Sequence, residues 1–232
     1  MHLVFRLGEC QLRLFRDELD HSGISVDRVL IGGARAGYYV REVQGPQLSV
    51  GVQLRPGAAE ALFGAPSDAF TGRHTPLVDL WGPAVSSMRE RLAEQQSLAD
   101  RLDTLEALLV ARVRRARALH PAVARALRQF TVTADVGRVV RESGYSHRTF
   151  ISQFRRSVGL TPKEYTRVVR LQRAIKQLVH SGSLAELAAA AGYSDQAHLS
   201  REFRTFSGVT PRAYRRLSPR RQHHLIPERT DG

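Results

Sequence analysis

The sequence predicts an α+β protein. A small antiparallel β-rich N-terminal domain with helices on its C-terminal flank precedes an all-α region of two helix-turn-helix units joined by a long helix. Three observations carry this. Residues 1–80 run in short apolar, often alternating stretches cut by Gly- and Pro-containing turns. From about Pro83 the apolar residues recur at helical spacing instead. In the C-terminal half one pattern occurs twice, as GYSHRTFISQFRRSVGLTP at 144–162 and GYSDQAHLSREFRTFSGVTP at 192–211.

In the first region HLVFRL, QLRLF, VDRVLIGG, GYYVREV and LSVGVQL read as strands of a small sheet or barrel, with a short helix at 57–64. Strand-like residues begin at His2, so either a further strand lies upstream of Met1 or the sheet starts early.

The helical connector spans 83–117. Val85, Met88 and Leu92 form one stripe; after the Gln95-Gln96-Ser97 break, Leu98, Leu102, Leu105, Leu109 and Val113 form a second. Stripes of this kind pack within a subunit more often than between subunits. A helix pair in a homodimer is the alternative, and the second stripe is too short for a coiled coil. A linker is expected near 115–121, where Arg114, Arg115 and Arg117 precede His120-Pro121, a helix start.

Gly144-Tyr145-Ser146 matches Gly192-Tyr193-Ser194 at an offset of 48, whereas Phe154, Gly159, Pro162 and Tyr165 match Phe203, Gly208, Pro211 and Tyr214 at an offset of 49. The unit is therefore duplicated, with one residue gained inside the second helix region. Each copy parses as a helix-turn-helix. In the second, Leu184, Leu187, Ala188 and Ala191 share one face, Gly192 ends the helix, Ser194 caps the next, and Leu199, Phe203 and Phe206 point inward. The first copy repeats this with Val136, Val139, Val140, Gly144, Ser146, Phe150, Phe154 and Val158. Residues 162–178 form the long helix between them, and the domain ends near 220, before a polar tail at 221–232.

Charge follows the same division. Residues 1–110 carry 11 Arg against 14 acids, and residues 111–232 carry 24 Lys or Arg against 8 acids. Of the 35 basic residues 33 are Arg, as a GC-rich coding sequence would give, so the asymmetry argues and a single Arg does not. A duplicated small helical unit in a basic segment points to double-stranded DNA as the partner.

If each second helix enters the major groove, its outward face is fixed by the inward aromatics. That face holds Arg148, Ile151, Ser152 and Arg155 in the first unit, and Gln196, Ala197, Ser200 and Arg201 in the second. Arg suits guanine, Gln suits adenine, and Ile or Ala suits the thymine methyl. Arg156, Arg204, Ser146 and Ser194 lie where phosphates would be held.

Residues 118–220 resemble the DNA-binding domain of the AraC/XylS family of bacterial transcription regulators. The resemblance rests on LAELAAAAGYSDQAHLSREFRTFSGVTPRAYR at 184–215 and RLQRAIKQL at 170–178. Ser152 stands where the family commonly has Arg or another base-reading side chain, and Ile151 is apolar for an exposed site. The resemblance implies two reading heads in successive major-groove segments, activation more often than repression, and contact with RNA polymerase. The segment LSVGVQLRPGAAEALFGAPSDAFTGRHTPLVDLWG at 48–82 resembles a sensor-like domain that precedes this DNA-binding domain in some members. For a small-molecule effector pocket there, Tyr38, Tyr39, Arg41, Arg55 and Trp81 are the candidates.

Other classes find little support. Cys10 alone excludes an intramolecular disulfide and a Cys-cluster metal site. His2, His21 and His74 lack ligand spacing, and His223-His224 falls in the polar tail. No nucleophile elbow or phosphate loop is present, so neither an enzyme nor a cofactor is expected. Arg6 and Glu9 interrupt the early apolar stretch, and no apolar run spans a bilayer; a soluble cytoplasmic protein without membrane contact is expected. A non-specific DNA-architectural protein and a partner-binding module with accessory DNA binding are the alternatives.

Overall fold

The computed structural model describes residues 1–9, 12–42, 48–113, 118–178 and 181–217. Cys10, the linker arginines at 114–117 and the tail with His223-His224 lie outside the described residues. The chain divides into two compact units, Met1–Arg35 with Tyr39–Pro162, and Ala36–Tyr38 with the residues from Lys163 onward.

The first unit is built on a four-stranded antiparallel sheet in the order β6 (Ser49–Gln53), β1 (His2–Arg6), β4 (Val29–Gly32), β7 (His74–Pro76). Leu3 faces Ile31 and Val52 across the ladders, and Phe5 faces Val29 and Val50. This register puts Leu3, Phe5, Ile31, Val29 and Val50 into one core. Strand β4 is buried at all four positions, which is why VDRVLIGG carries a run of apolar residues and no alternation. A three-stranded sheet, β3 (Ile24–Val26), β2 (Leu12–Phe15), β5 (Val40–Arg41), completes the strands. The expected GYYVREV strand shrinks to Val40–Arg41, and β7 has no sequence signal of its own. His-Thr-Pro becomes a strand because β4 offers it a free edge.

Between the strands lie α1 (Ala58–Phe63), matching the helix expected at 57–64, and a 3-10 turn at Ser67–Phe70. The short α2 (Val78–Trp81) leads into α3 (Ala84–Glu94), whose Val85, Met88 and Leu92 are buried as the first stripe predicts. Helix α4 (Leu98–Val110) is capped by Ser97. The second stripe is only partly buried. Leu105 and its neighbour Leu108 enter the core, whereas Leu98 is 67% exposed, Leu102 48% and Val113 51%. The helix meets α3 and β6, and the face turned to them centres on Leu105 and Leu108. The heptad-like row drifts off that face at both ends.

Three helices end the first unit: α5 (Pro121–Gln129), α6 (Val136–Ser143) and α7 (His147–Val158). Phe130, Phe150 and Phe154 are buried at 2% exposure or less, with the Phe130 and Phe154 rings edge to face at 5.7 Å. Helix α8 (Pro162–Leu178) leads into the second unit, where α9 (Leu184–Ala191), α10 (Gln196–Ser207) and α11 (Pro211–Leu217) follow. Leu171, Ala174, Ile175, Leu178, Leu187, Leu199, Phe203 and Tyr214 form that unit's core. Among the described residues no helix is long and apolar enough to cross a membrane.

Candidate nucleic-acid interface

Each helix-turn-helix is set by local rules before packing acts. Asp135 caps α6 by accepting from the Arg138 amide, and Gly144 ends it in the left-handed region at φ 74°. Ser146 caps α7, accepting from the Thr149 amide at 3.2 Å, as expected. In the second unit a full capping box, Ser183 with Glu186, starts α9, and Gly192 ends it.

Two expectations for the second copy need correction. The cap of α10 is Asp195, which accepts from the His198 amide at 2.7 Å; Ser194 instead bonds Asp195 and His198 through its hydroxyl. Helices α7 and α10 are both 12 residues long, so the gained residue sits in the turn and not inside the helix. The carboxylate cap at the inserted position explains this: Asp195 corresponds to Ser146 at the same offset of 49 as the residues after it.

Both outward faces are solvent-facing. Arg148, Ser152, Arg155, Gln196, Ala197, Arg201 and Arg204 are exposed, with Ile151 and Ser200 half-buried at their edges. No acid occurs in α7, and the single acid of α10, Glu202, is turned inward with its side chain 6% exposed. Arg170 and Arg167 from α8 neutralise it. Burial pushes the Glu202 carboxyl up, but the hydrogen bonds of the two guanidinium groups outweigh burial and hold it below the usual carboxylate range. Arg170 also lies over the Tyr193 ring at 4.4 Å. The outward surface of α10 is thus left with positive charge alone.

Glu202, Arg170 and Arg167 escaped the sequence reading. A signal was there: Glu202 falls three residues after Leu199 and four before Phe206, on the buried side of the helix. An acid placed there needs a cationic partner.

Of the positions expected at phosphates, Arg156 pairs with Glu60 at 3.2 Å, and both side chains are well exposed. Such a pair is weak and readily exchanged for a phosphate. Arg204 is exposed, Ser146 is engaged as a cap, and Ser194 faces solvent beside Asp195.

Of the pocket candidates in the first unit, Tyr39 and Arg41 share a cleft, and Arg55 and Trp81 do not line it. Trp81 donates its indole N–H to the Leu62 carbonyl at 3.2 Å, near Phe63 and under Arg112. Arg55 is exposed at the start of α1. Arg41 and Tyr39 line a narrow cleft with His2, Leu30 and His74, where Tyr39 meets His74 edge to face at 4.8 Å. Tyr38 belongs to the second unit, its ring against Gly208 at the end of α10. A larger cleft, of about 710 Å3, opens in the first unit between α1 and α7, lined by Glu60, Ser67, His120, Gln153, Arg156 and Ser157. Among the described residues no group of His, Cys, Asp and Glu is placed to hold a metal ion.

Residues 139–217 match the family described as a helix-turn-helix domain. Among solved structures, the chain is similar to the C-terminal domain of AraT, a response regulator from Geobacillus stearothermophilus, with 24% identity over 50% of this chain and 95% of that one, and a TM-score of 0.41. It is similar to the DNA-binding domain of AdpA, solved in complex with a target DNA, with 31% identity over 41% and 86% and a TM-score of 0.37. An apo ToxT variant from Vibrio cholerae is 12% identical over 92% and 87%, with a TM-score of 0.49. No curated protein matches the chain.

Proposed function

We propose that this chain is a DNA-binding transcription regulator of the AraC/XylS type, a reading supported by the helix-turn-helix match at 139–217, and that it reads two successive major-groove segments of a specific operator. The observation that carries this is the pair of equal 12-residue helices, each capped, each anchored by inward Phe, and each presenting an outward face free of acids. Arg148, Ile151, Ser152 and Arg155 on α7, and Gln196, Ala197, Ser200 and Arg201 on α10, read bases. Arg156, Arg204, Ser146 and Ser194 hold phosphates. Asp195 beside Ser194 weakens that last assignment, because a carboxylate repels phosphate.

In this reading residues 118–220 are the DNA-binding domain, 1–82 a sensing or dimerising domain, 83–117 the connector and 221–232 a tail. The regulator acts in the cytoplasm without catalysis, contacts RNA polymerase, and responds to a small molecule or partner at its β-rich part. Tyr38, Arg41, Arg55 and Trp81 are the proposed pocket residues; within the first unit the cleft beside Glu60 and Arg156 is roomier than the one that Arg41 lines.

Selection of bound duplexes from a random library at about 0.15 M salt tests this. Two enriched blocks roughly 10 base pairs apart are the expected outcome. Tight, salt-sensitive binding with no enriched block would assign the chain to non-specific coating of DNA.

A further inference from the structure

The two copies of the repeat share length, cap position and terminal glycine, yet they are held by different means. In the second, α10 is tied to α8 by Glu202, which accepts from Arg170 and Arg167. The corresponding residue of the first copy, at the same offset of 49, is Gln153, which carries no charge.

Helix α7 is held at its end instead. The last carbonyls of a helix have no partner within it, and here the β-rich part supplies donors. The Ser157 carbonyl accepts from the Gly57 amide at 2.9 Å and from the Ser67 hydroxyl at 2.8 Å. The Gly159 carbonyl accepts from the Thr71 hydroxyl. Glu60 adds an ion pair to Arg156. The approach is close: a Cβ on Gly159 would lie 2.9 Å from the Ala34 Cβ and 3.1 Å from the Ser67 carbonyl oxygen. Gly57, Glu60, Ser67, Arg156 and Ser157 also line the large cleft of this unit, so whatever enters it meets these contacts.

We infer that Gly57, Glu60, Ser67 and Thr71 are positioning residues for the first reading helix, whereas the second, whose end meets Tyr38, is tied to α8 by Glu202. A change between Gly57 and Thr71 therefore reaches the reading of one DNA block and leaves the other. The consequence for DNA rests on the proposal that α7 and α10 are the reading helices; the clamp itself does not.

Backbone hydrogen exchange on the full-length chain tests it. Ser67→Ala combined with Thr71→Val removes two hydroxyl donors with little change in volume. Exchange across 150–159 should quicken about tenfold, while that across 199–207 is unchanged. Glu202→Gln should do the reverse. Glu60→Gln, on an exposed pair, is the milder variant should the double one fold poorly, and should quicken α7 alone by about twofold. Equal acceleration of both helices, or none in α7, would overturn the inference. Because exchange is read without DNA, failure of the DNA reading shows separately, as a wild-type chain that selects no sequence.

Discussion

Arg170 Nη2 donates to both carboxylate oxygens of Glu202, at 2.7 and 2.9 Å, joining α8 to the back of α10. Arg170 Nε adds a third bond at 3.2 Å and Arg167 Nε a fourth at 2.9 Å. Breaking a buried pair from one side leaves an uncompensated charge, which costs about 3 kcal/mol. Glu202→Ala should lower the unfolding free energy of the chain by about that amount in a denaturant titration. Arg170→Lys keeps the charge but loses the planar two-point contact and should fall between.

Acid should weaken the two units over different ranges. Glu202 has a folded pKa held below its ordinary value, so its contribution is full above about pH 4.3 and is lost as pH falls through the folded value. His74 is shifted down to about 4, first by burial and then by the charges of Arg35 and His2. The folded state thus keeps it neutral while the unfolded chain takes a proton near pH 6.5. Its contribution is present in full above about pH 6.5 and declines from there toward pH 4. Denaturant unfolding between pH 7 and 4 should show this slope, and His74→Gln should flatten it.

Two glycines at equivalent helix ends should respond unequally to alanine. Gly144 and Gly159 both have positive φ, at 74° and 84°, so each variant carries the left-handed penalty of about 1–2 kcal/mol. A Cβ on Gly144 meets open space, whereas one on Gly159 collides with Ala34 and Ser67. Gly159→Ala should be clearly the more destabilising in thermal unfolding. Equal effects would mean that the region around Ala34 yields.

On the DNA face, Arg201→Ala should cost about 1–3 kcal/mol of binding and relax preference at one base position. Arg204→Ala should weaken binding to all sequences alike and lower the salt slope by about one. Titration of selected and scrambled duplexes at several salt concentrations separates the two. Uniform loss with Arg201→Ala would assign that residue to the backbone.

Helix α4 offers a contrast within one row of leucines. Leu105→Ala empties a core position and should cost about 2–5 kcal/mol. Leu102→Ala, at a side chain 48% exposed, should cost well under half as much in the same denaturant assay.

The sequence by itself determined the elements whose signals are local. The duplicated Gly-Tyr-Ser and Thr-Pro motifs, the inward Phe150, Phe154, Leu199 and Phe203, and the span 162–178 of the long helix were all legible, because caps, turns and a 3.6-residue period act within a few residues. The strands around Leu3, Phe5 and Val50 were legible by their alternation. What only tertiary structure decided depends on neighbours remote in the chain. Strand β7 exists because β4 presents an edge, and which leucines of α4 are buried follows from where β6 and α3 meet it. Glu202 points inward because Arg170 and Arg167 lie across from it, 32 and 35 positions away. The donors at Gly57, Ser67 and Thr71 find the end of α7 at separations of 88 to 100 residues. No periodicity along the chain records such pairings, since a hydrogen bond or ion pair is set by distance in space and not by separation in sequence.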